Sequence, residues 1–224
     1  KDFIGELILK KFVKSDSAVG LHFENYDKFI LSPIVKTSVL QAEPENKGHI
    51  SVYLGHYNDK VLQNAFSSLP DLHFHVFSKQ VKEEIRTKNI IFKPVNGKNF
   101  DESVRTAAGV ITGAGFEAPA EALYLNKKLL CIPIRGQYEQ LCNAEALKRF
   151  NVSIVDKLDD LFALKVMRWM QSGIAKPLIL HQSTRDIIEY VVQKGTSASL
   201  NPSEHLIDID RKSTRLNSSH LVIS

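Results

Sequence analysis

Cysteine is scarce: the chain of 224 residues holds two, Cys131 and Cys142. They share no CxxC spacing and have no histidine at metal-ligand spacing, which excludes a disulfide scaffold and a cysteine-built metal centre. Two such thiols read as small buried hydrophobes in a reducing compartment, so the expected setting is cytoplasmic. Long apolar runs are missing as well. No window approaches about eighteen uninterrupted apolar residues, so no segment reads as a membrane-spanning helix. With 43% hydrophobic and 24% charged residues, neither disorder nor a fibrous repeat fits. The length allows one large domain or two small ones around a sizeable core. Lys1 is not followed by the charged, apolar and small-residue order of a signal peptide, and the chain is expected to begin inside a longer protein.

The formal charge of +4 hints at an anionic partner only if it belongs to the folded part. Residues 210–224 hold three Arg or Lys against one Asp, net +2, which leaves +2 for the rest. The run Asp210-Arg-Lys-Ser-Thr-Arg-Leu-Asn-Ser-Ser-His220 resembles the in-frame translation of a short-read sequencing adapter. That resemblance makes 210–224 an artefactual tail, expected to pack on nothing, and discards the reading of it as a nucleic-acid arm. Lys79, Lys82, Arg86, Lys88 and Lys93, with Glu83 and Glu84 between them, read as a solvated helix face, so no nucleic acid is expected as a partner.

Apolar spacing organises the remainder. Phe3, Ile4, Leu7, Ile8 and Phe12 predict an amphipathic helix over 2–13, and Val19–Phe23 and Phe29–Ile34 read as strands. Residues 41–48 are polar, carry Pro44 and Gly48, and read as a linker. Beyond them strands over 50–54, 72–77, 90–92, 109–112, 129–133 and 152–155 alternate with helical patterns over 60–69, 100–107, 118–125 and 140–150. Two more helices are expected over 161–172 and 184–194. Alternation of this kind means an α/β fold: a Rossmann-like parallel sheet with helices on both faces. Val61, Leu62, Ala65 and Phe66 are expected inward on the first of these helices. Leu161, Leu164, Met167 and Met170 read as a core stripe in preference to a membrane-lying one, so membrane association stays open. His73 and His75, two apart, read as a partly exposed strand face in preference to half a metal site.

In an open parallel sheet, ligands bind outside the carboxyl ends of the strands. The richest loop there is Thr112-Gly-Ala-Gly115, which runs into a helix carrying Pro119 in its first turn. Glycine lets backbone N–H groups approach a ligand, and a helix N-terminus favours an anion such as phosphate. Glu121, in the same helix, can accept hydrogen bonds from both hydroxyls of a ribose. The loop Ile134-Arg-Gly-Gln-Tyr-Glu-Gln140 gathers amides and a carboxylate, side chains suited to sugar hydroxyls.

These residues carry a resemblance. Gly113-Ala-Gly-Phe-Glu-Ala-Pro-Ala-Glu121, then Asn126-Lys-Lys-Leu-Leu-Cys-Ile-Pro133, then Gly136-Gln-Tyr-Glu-Gln140-Leu-Cys-Asn143-Ala144 resemble the donor-binding signature of GT-B glycosyltransferases that use UDP-sugars, near the MurG and UDP-glucuronosyltransferase branches. The likeness covers about residues 48–156, and residues 1–40 are loosely similar to the end of that family's acceptor domain. It implies 1–40 as an N-terminal remnant, 41–48 as linker, 49–184 as nucleotide-sugar domain and 185–209 as C-terminal helix. It also implies roles. Gly113, Ala114, Gly115 and Phe116 would hold the diphosphate, with Gly55 and His56 lining it from the first loop. Glu121 would bind the ribose, and Val95 would lie by the uracil. Glu139 and Gln140, in the loop that also offers Gln137, would contact the sugar. The implied activity is a hexosyltransferase-like transfer from a UDP-sugar donor to an unknown acceptor, with no metal and no cofactor. The catalytic base, in the missing half, is unknown, so this fragment alone is expected to be inactive. Two departures stand out: Ala114 replaces a common glycine, and Glu117 brings negative charge to the first helical turn. A UDP-sugar epimerase of the same architecture and a non-catalytic nucleotide-sugar-binding module are the alternatives.

Overall fold

Strands buried on both faces set the architecture. The computed structural model describes residues 17–24, 30–200 and 219–223 and divides the chain into two compact units, Val35–Leu178 and the remainder. The helix expected over 2–13 lies outside the described residues. In the larger unit the strands are β3 (His49–Tyr53), β4 (His73–Ser78), β5 (Ile85–Thr87), β6 (Ile90–Pro94), β7 (Gly109–Thr112), β8 (Lys128–Cys131) and β9 (Ser153–Ile154). They form one sheet in the order β5-β6-β4-β3-β7-β8-β9. All pairings are parallel except the β5 edge on β6. The parallel strands thus run 3-2-1-4-5-6 by order of appearance, the doubly wound arrangement in which the chain changes direction between β3 and β7.

The helices between them are α1 (Thr37–Leu40), α2 (Asp59–Ser67), α3 (Gly97–Thr106), α4 (Glu117–Tyr124), α5 (Tyr138–Leu147) and α6 (Phe162–Gln171). Ile50, Val52, Phe74, Val76, Ile111 and Leu130 face Leu62 and Phe66 of α2 and Phe162, Val166 and Trp169 of α6. Alternate residues face the other way: Tyr53 and Phe77 meet Phe100 of α3. The second face is partly polar. The rings of His49 and His75 stack at 3.9 Å, and the His49 Nε2–H donates to the Ser103 carbonyl at 3.0 Å.

Several boundaries differ from the spacing because polar groups set them. The Asn58 side chain caps α2 by accepting the Val61 N–H, and Asn96 caps α3 by accepting the Lys98 N–H, so both helices start before their first apolar residue. The basic stretch around 79–93 is not a helix face; it ends in the β5–β6 hairpin, with Lys88 at φ 51° in the turn. Asn89 Nδ2 ties that turn to the carbonyls of Phe66, Leu69 and Leu72. The α6 stripe is also corrected. Phe162, Val166 and Trp169 are buried, whereas Leu161, Leu164 and Met167 are 58%, 48% and 38% exposed. Two apolar stripes overlap on this helix, and the match of Trp169 to the bare Gly109 backbone selects one of them. On α2, Val61 likewise turns outward.

Residues 41–48 have no regular structure, yet they are bound along their length. Glu45 N–H and Lys47 N–H donate to the carbonyls of Arg105 and Thr106. Arg105 reaches back to the Glu43 carbonyl and to Glu45, and the buried Lys127 ammonium donates to the carbonyls of Glu45 and Ala107. The boundary between units falls at Ile34/Val35, ahead of this segment.

In the other unit, β1 (Ser17–Leu21) pairs with β2 (Ile30–Leu31) and α7 (Thr184–Leu200) buries Ile187. Ser32 Oγ donates to Gln182 Oε1 and accepts the His181 N–H. The expectation of a tail that packs on nothing is corrected for β10 (Ser219–Ile223), which lies antiparallel to β1; β1 otherwise leaves an open edge that any extended segment can join. No helix among the described residues is long and apolar enough to cross a membrane.

A Cβ on Gly109 would lie 2.7 Å from Trp169 Cη2. Gly109→Ala should therefore cost about 1–3 kcal/mol of unfolding free energy, whereas Gly97→Ala, with open space around it, should cost nothing. Urea titration of both variants checks this.

Burial, then the neighbouring His49, pushes the His75 imidazole down to about 4, and burial lowers His49 as well. The unfolded chain therefore takes up these protons first. The contribution of these two histidines is complete above an unfolded pKa of about 6.5 and is lost as pH falls from there towards about 4. Urea midpoints should trace that loss, and His75→Gln should flatten it. An equally steep loss in the variant would rule His75 out as its source.

Candidate functional site

Tyr53 pairs with Thr112, and Thr112 with Cys131, so the segments that leave β3, β7 and β8 emerge side by side at the carboxyl edge of the sheet. Gly55 and His56 follow β3 and are exposed, with the His56 ring on Tyr57 at 4.3 Å. Val95 follows β6 on the same edge; its N–H donates to the Ser78 carbonyl, and its side chain is exposed. Gly113–Phe116 link β7 to α4, and Gln137–Gln140 open α5. The sheet order thus brings Gly55, His56, Val95, Gly113–Phe116 and Gln137–Gln140 to one edge, with Glu121 inside the helix that follows the glycine loop.

The glycine loop is held from α5. Gln140 Oε1 accepts the Ala114 N–H at 3.1 Å and the Ile134 N–H at 2.9 Å, and its Nε2 donates to Gln137 Oε1 at 2.8 Å. One turn on, the buried Asn143 donates to the Ala114 carbonyl at 3.2 Å. Both sides of the Ala114 residue are therefore fixed by one helix. A Cβ at Gly113 would crowd Gln140 Oε1 at 3.2 Å and press on the amide that holds the loop; at Gly115 it would project into open space. The loop after β8 turns at Gly136, with φ +84° and an Ile134 C=O to Gln137 N–H bond, as a type II turn requires.

Phe116 stands at the N-cap of α4, and no side chain caps that end. Its backbone N–H groups and partial positive charge suit an anion. Glu121, one turn further in, is 3% exposed, and its Oε1 accepts no hydrogen bond. The nearest cation is Lys36, ahead of α1, with Nζ 3.3 Å from Glu121 Oε1, 3.1 Å from Asp101 and 3.6 Å from Glu117. Burial raises the Glu121 carboxyl above the ordinary range, and Lys36 opposes it. Glu139 is exposed in the first turn of α5. Lys36 and Asp101 carry no spacing signal as site residues, and Asn143, part of the motif that carries the resemblance, has no role implied there; Lys36 meets Glu121 only through folding. No group of three His, Cys, Asp or Glu among the described residues is arranged to hold a metal ion.

The structure thus places a glycine loop opening a helix, a buried carboxylate within that helix and an amide-rich loop at the carboxyl edge of a doubly wound sheet. The chain belongs to glycosyl transferase family 1, whose family model matches residues 18–172. Solved structures similar to it include a glycotransferase of kitacinnamycin, at 14% identity over 74% of this chain and 49% of that one, TM-score 0.46. Another is the glycosyltransferase SnogD from Streptomyces nogalater, at 16% over 72% and 45%, TM-score 0.40. A third is UGT89C1 of Arabidopsis thaliana complexed with UDP, at 14% over 77% and 50%, TM-score 0.42. The chain spans about half the length of these proteins. No curated protein matches it.

The loop geometry separates two kinds of substitution. Gln140→Ala unpairs two backbone N–H groups and should cost about 1–3 kcal/mol of stability. Gly115→Ala meets nothing within 4 Å and should leave the urea midpoint unchanged. Comparing the two melts checks that α5 holds the loop.

Proposed function

We propose that this chain is the donor half of a GT-B glycosyltransferase that passes a hexosyl group from a UDP-sugar to an acceptor, in the neighbourhood of the MurG and UDP-glucuronosyltransferase branches. The observation that carries the reading is the Glu121 carboxylate, buried in the helix that the glycine loop opens, with Oε1 accepting no hydrogen bond and only the Lys36 ammonium 3.3 Å away. A buried acceptor is costly unless something satisfies it, and two ribose hydroxyls do so. The diphosphate lies on the backbone of Gly113, Ala114, Gly115 and Phe116 at the uncapped end of α4, with Gly55 and His56 opposite and Val95 towards the base. Glu139 and Gln137 face the sugar. Gln140, whose carbonyl is already committed, contributes at most its remaining amide hydrogen.

In transfer, the bond from the anomeric carbon to the UDP oxygen breaks and a bond to the acceptor oxygen forms. Charge grows on the departing diphosphate, where helix and loop N–H groups stabilise it without a metal. The acceptor's proton passes to a base carried by a part of the protein that this chain does not contain. Residues 1–40 belong with that acceptor part, 49–184 form the nucleotide-sugar domain, 185–209 the C-terminal helix, and 210–224 derive from sequencing adapter. Two free thiols fit a cytoplasmic setting.

Calorimetric titration tests the roles. Glu121→Ala removes charge-assisted hydrogen bonds worth about 1.5–3 kcal/mol and should weaken UDP at least about tenfold. Glu139→Ala should leave UDP untouched and weaken only the intact UDP-sugar. Equal losses for UDP in both variants, or none in either, would remove these assignments.

A further inference from the structure

Lys36 is the residue that the proposed site does not yet use. It precedes α1, which is docked on the sheet's helices: Ser38 Oγ lies 3.4 Å from Asp101 Oδ2, and the Tyr124 hydroxyl donates to the Leu40 carbonyl. The backbone anchored in this way delivers the ammonium to three carboxylates on two other helices. Nζ stands 3.1 Å from Asp101 Oδ1 on α3, 3.6 Å from Glu117 Oε1 on α4, and 3.3 and 3.4 Å from the two Glu121 oxygens. The three acids differ in exposure: the Glu121 side chain is 4% exposed, Asp101 18% and Glu117 67%.

We propose that Lys36 is a positioning residue of the nucleotide site, holding Glu121 as an oriented, ionised carboxylate that accepts the ribose hydroxyls. The inference rests on the ribose role given to Glu121 above. Without the ammonium, three carboxylates crowd one another in a partly buried space, and the most buried of them takes up a proton most easily. A protonated Glu121 offers an O–H donor in place of one acceptor, the wrong partner for a hydroxyl pair that must donate. The groups facing Glu121 are Lys36, Asp101 and Glu117. Burial raises its carboxyl and Lys36 opposes this, while Asp101 and Glu117 push it further up. Burial pulls Lys36 down, but the three carboxylates, Glu121 first, more than offset it, so the ammonium stays charged. Lys36 is 40% exposed on its side chain, so its ammonium lies between the buried Glu121 and solvent.

The test is UDP titration of the whole chain, Lys36→Met and Lys36→Arg across pH 5.5 to 9, with circular dichroism to confirm that each variant is folded. The ratio of variant to parent affinity removes the titration of UDP itself, which is common to both. For Lys36→Met the ratio should be about one at the alkaline end and fall by about tenfold or more as pH is lowered, whereas Lys36→Arg should stay near one throughout. Carbon NMR of the Glu121 carboxyl, without ligand, should show its titration moved to higher pH in Lys36→Met. A ratio that does not change with pH, or tighter binding by Lys36→Met because the lysine had blocked the site, overturns the proposal. If Glu121→Ala also leaves UDP binding intact, the ribose reading itself has failed. If Glu121→Ala loses binding while Lys36→Met behaves like the parent, only the role of Lys36 is lost.

Discussion

The pairing of β3 with β7 is the constraint from which the rest follows. β3 enters the sheet first, β4 and β6 add on one side, and β7, β8 and β9 add on the other. In doubly wound sheets generally, ligands bind where successive crossovers leave in opposite directions and the loops at the carboxyl edge diverge. The strands that form this edge are buried on both faces, and Val52, Ile111 and Leu130 are fully packed, so a slip in register would have to repack both layers of helices. A rigid sheet therefore fixes where Leu54 and Gly113 leave it, and the loops inherit that precision.

Rigidity at the loops has a different source. A glycine-containing turn is entropically expensive to hold in one shape, and here a few side-chain amides hold it. Gln140 and Asn143 fasten Ala114 from both sides, and Gln140 simultaneously fastens Ile134, so the loops after β7 and β8 behave as one element. The same economy recurs away from the crevice, where Asn89 holds the end of α2 and Lys127 holds residues 41–48 against the strand edge. In each case one polar side chain satisfies two or more backbone groups that regular structure leaves unpaired.

Those polar ties also explain what apolar spacing can and cannot reveal. The α/β alternation and the sheet were legible because burial on both faces writes itself as near-continuous runs such as 109–112 and 129–132. The glycine loop, Glu121 and the α5 loop were legible as local motifs. Their gathering along one edge followed from the expected topology. The edge strand 85–87 of the hairpin was not legible, because it is short; nor was the choice of stripe on α6, where two apolar stripes overlap and the packing of Phe162, Val166 and Trp169 buries one of them. The anchoring of 41–48 and the reach of Lys36 to Glu121 join charges far apart in the chain, and no local pattern encodes such pairs.

Charge at the head of α4 remains to be reconciled with an anionic ligand. Glu117 lies in the first helical turn, where it stabilises the helix through the same field that would attract a phosphate. At 67% side-chain exposure it is largely screened by solvent, and the Lys36 ammonium lies 3.6 Å away on the side of the buried acids. The carboxylate that is not screened is Glu121, and it is the one that Lys36 approaches with both oxygens in range. The proposed diphosphate would then meet the backbone N–H groups of the loop at short range, while the exposed Glu117 is the better screened of the two acids. An acidic first turn is compatible with the proposed anion site because the two carboxylates sit in different dielectric surroundings.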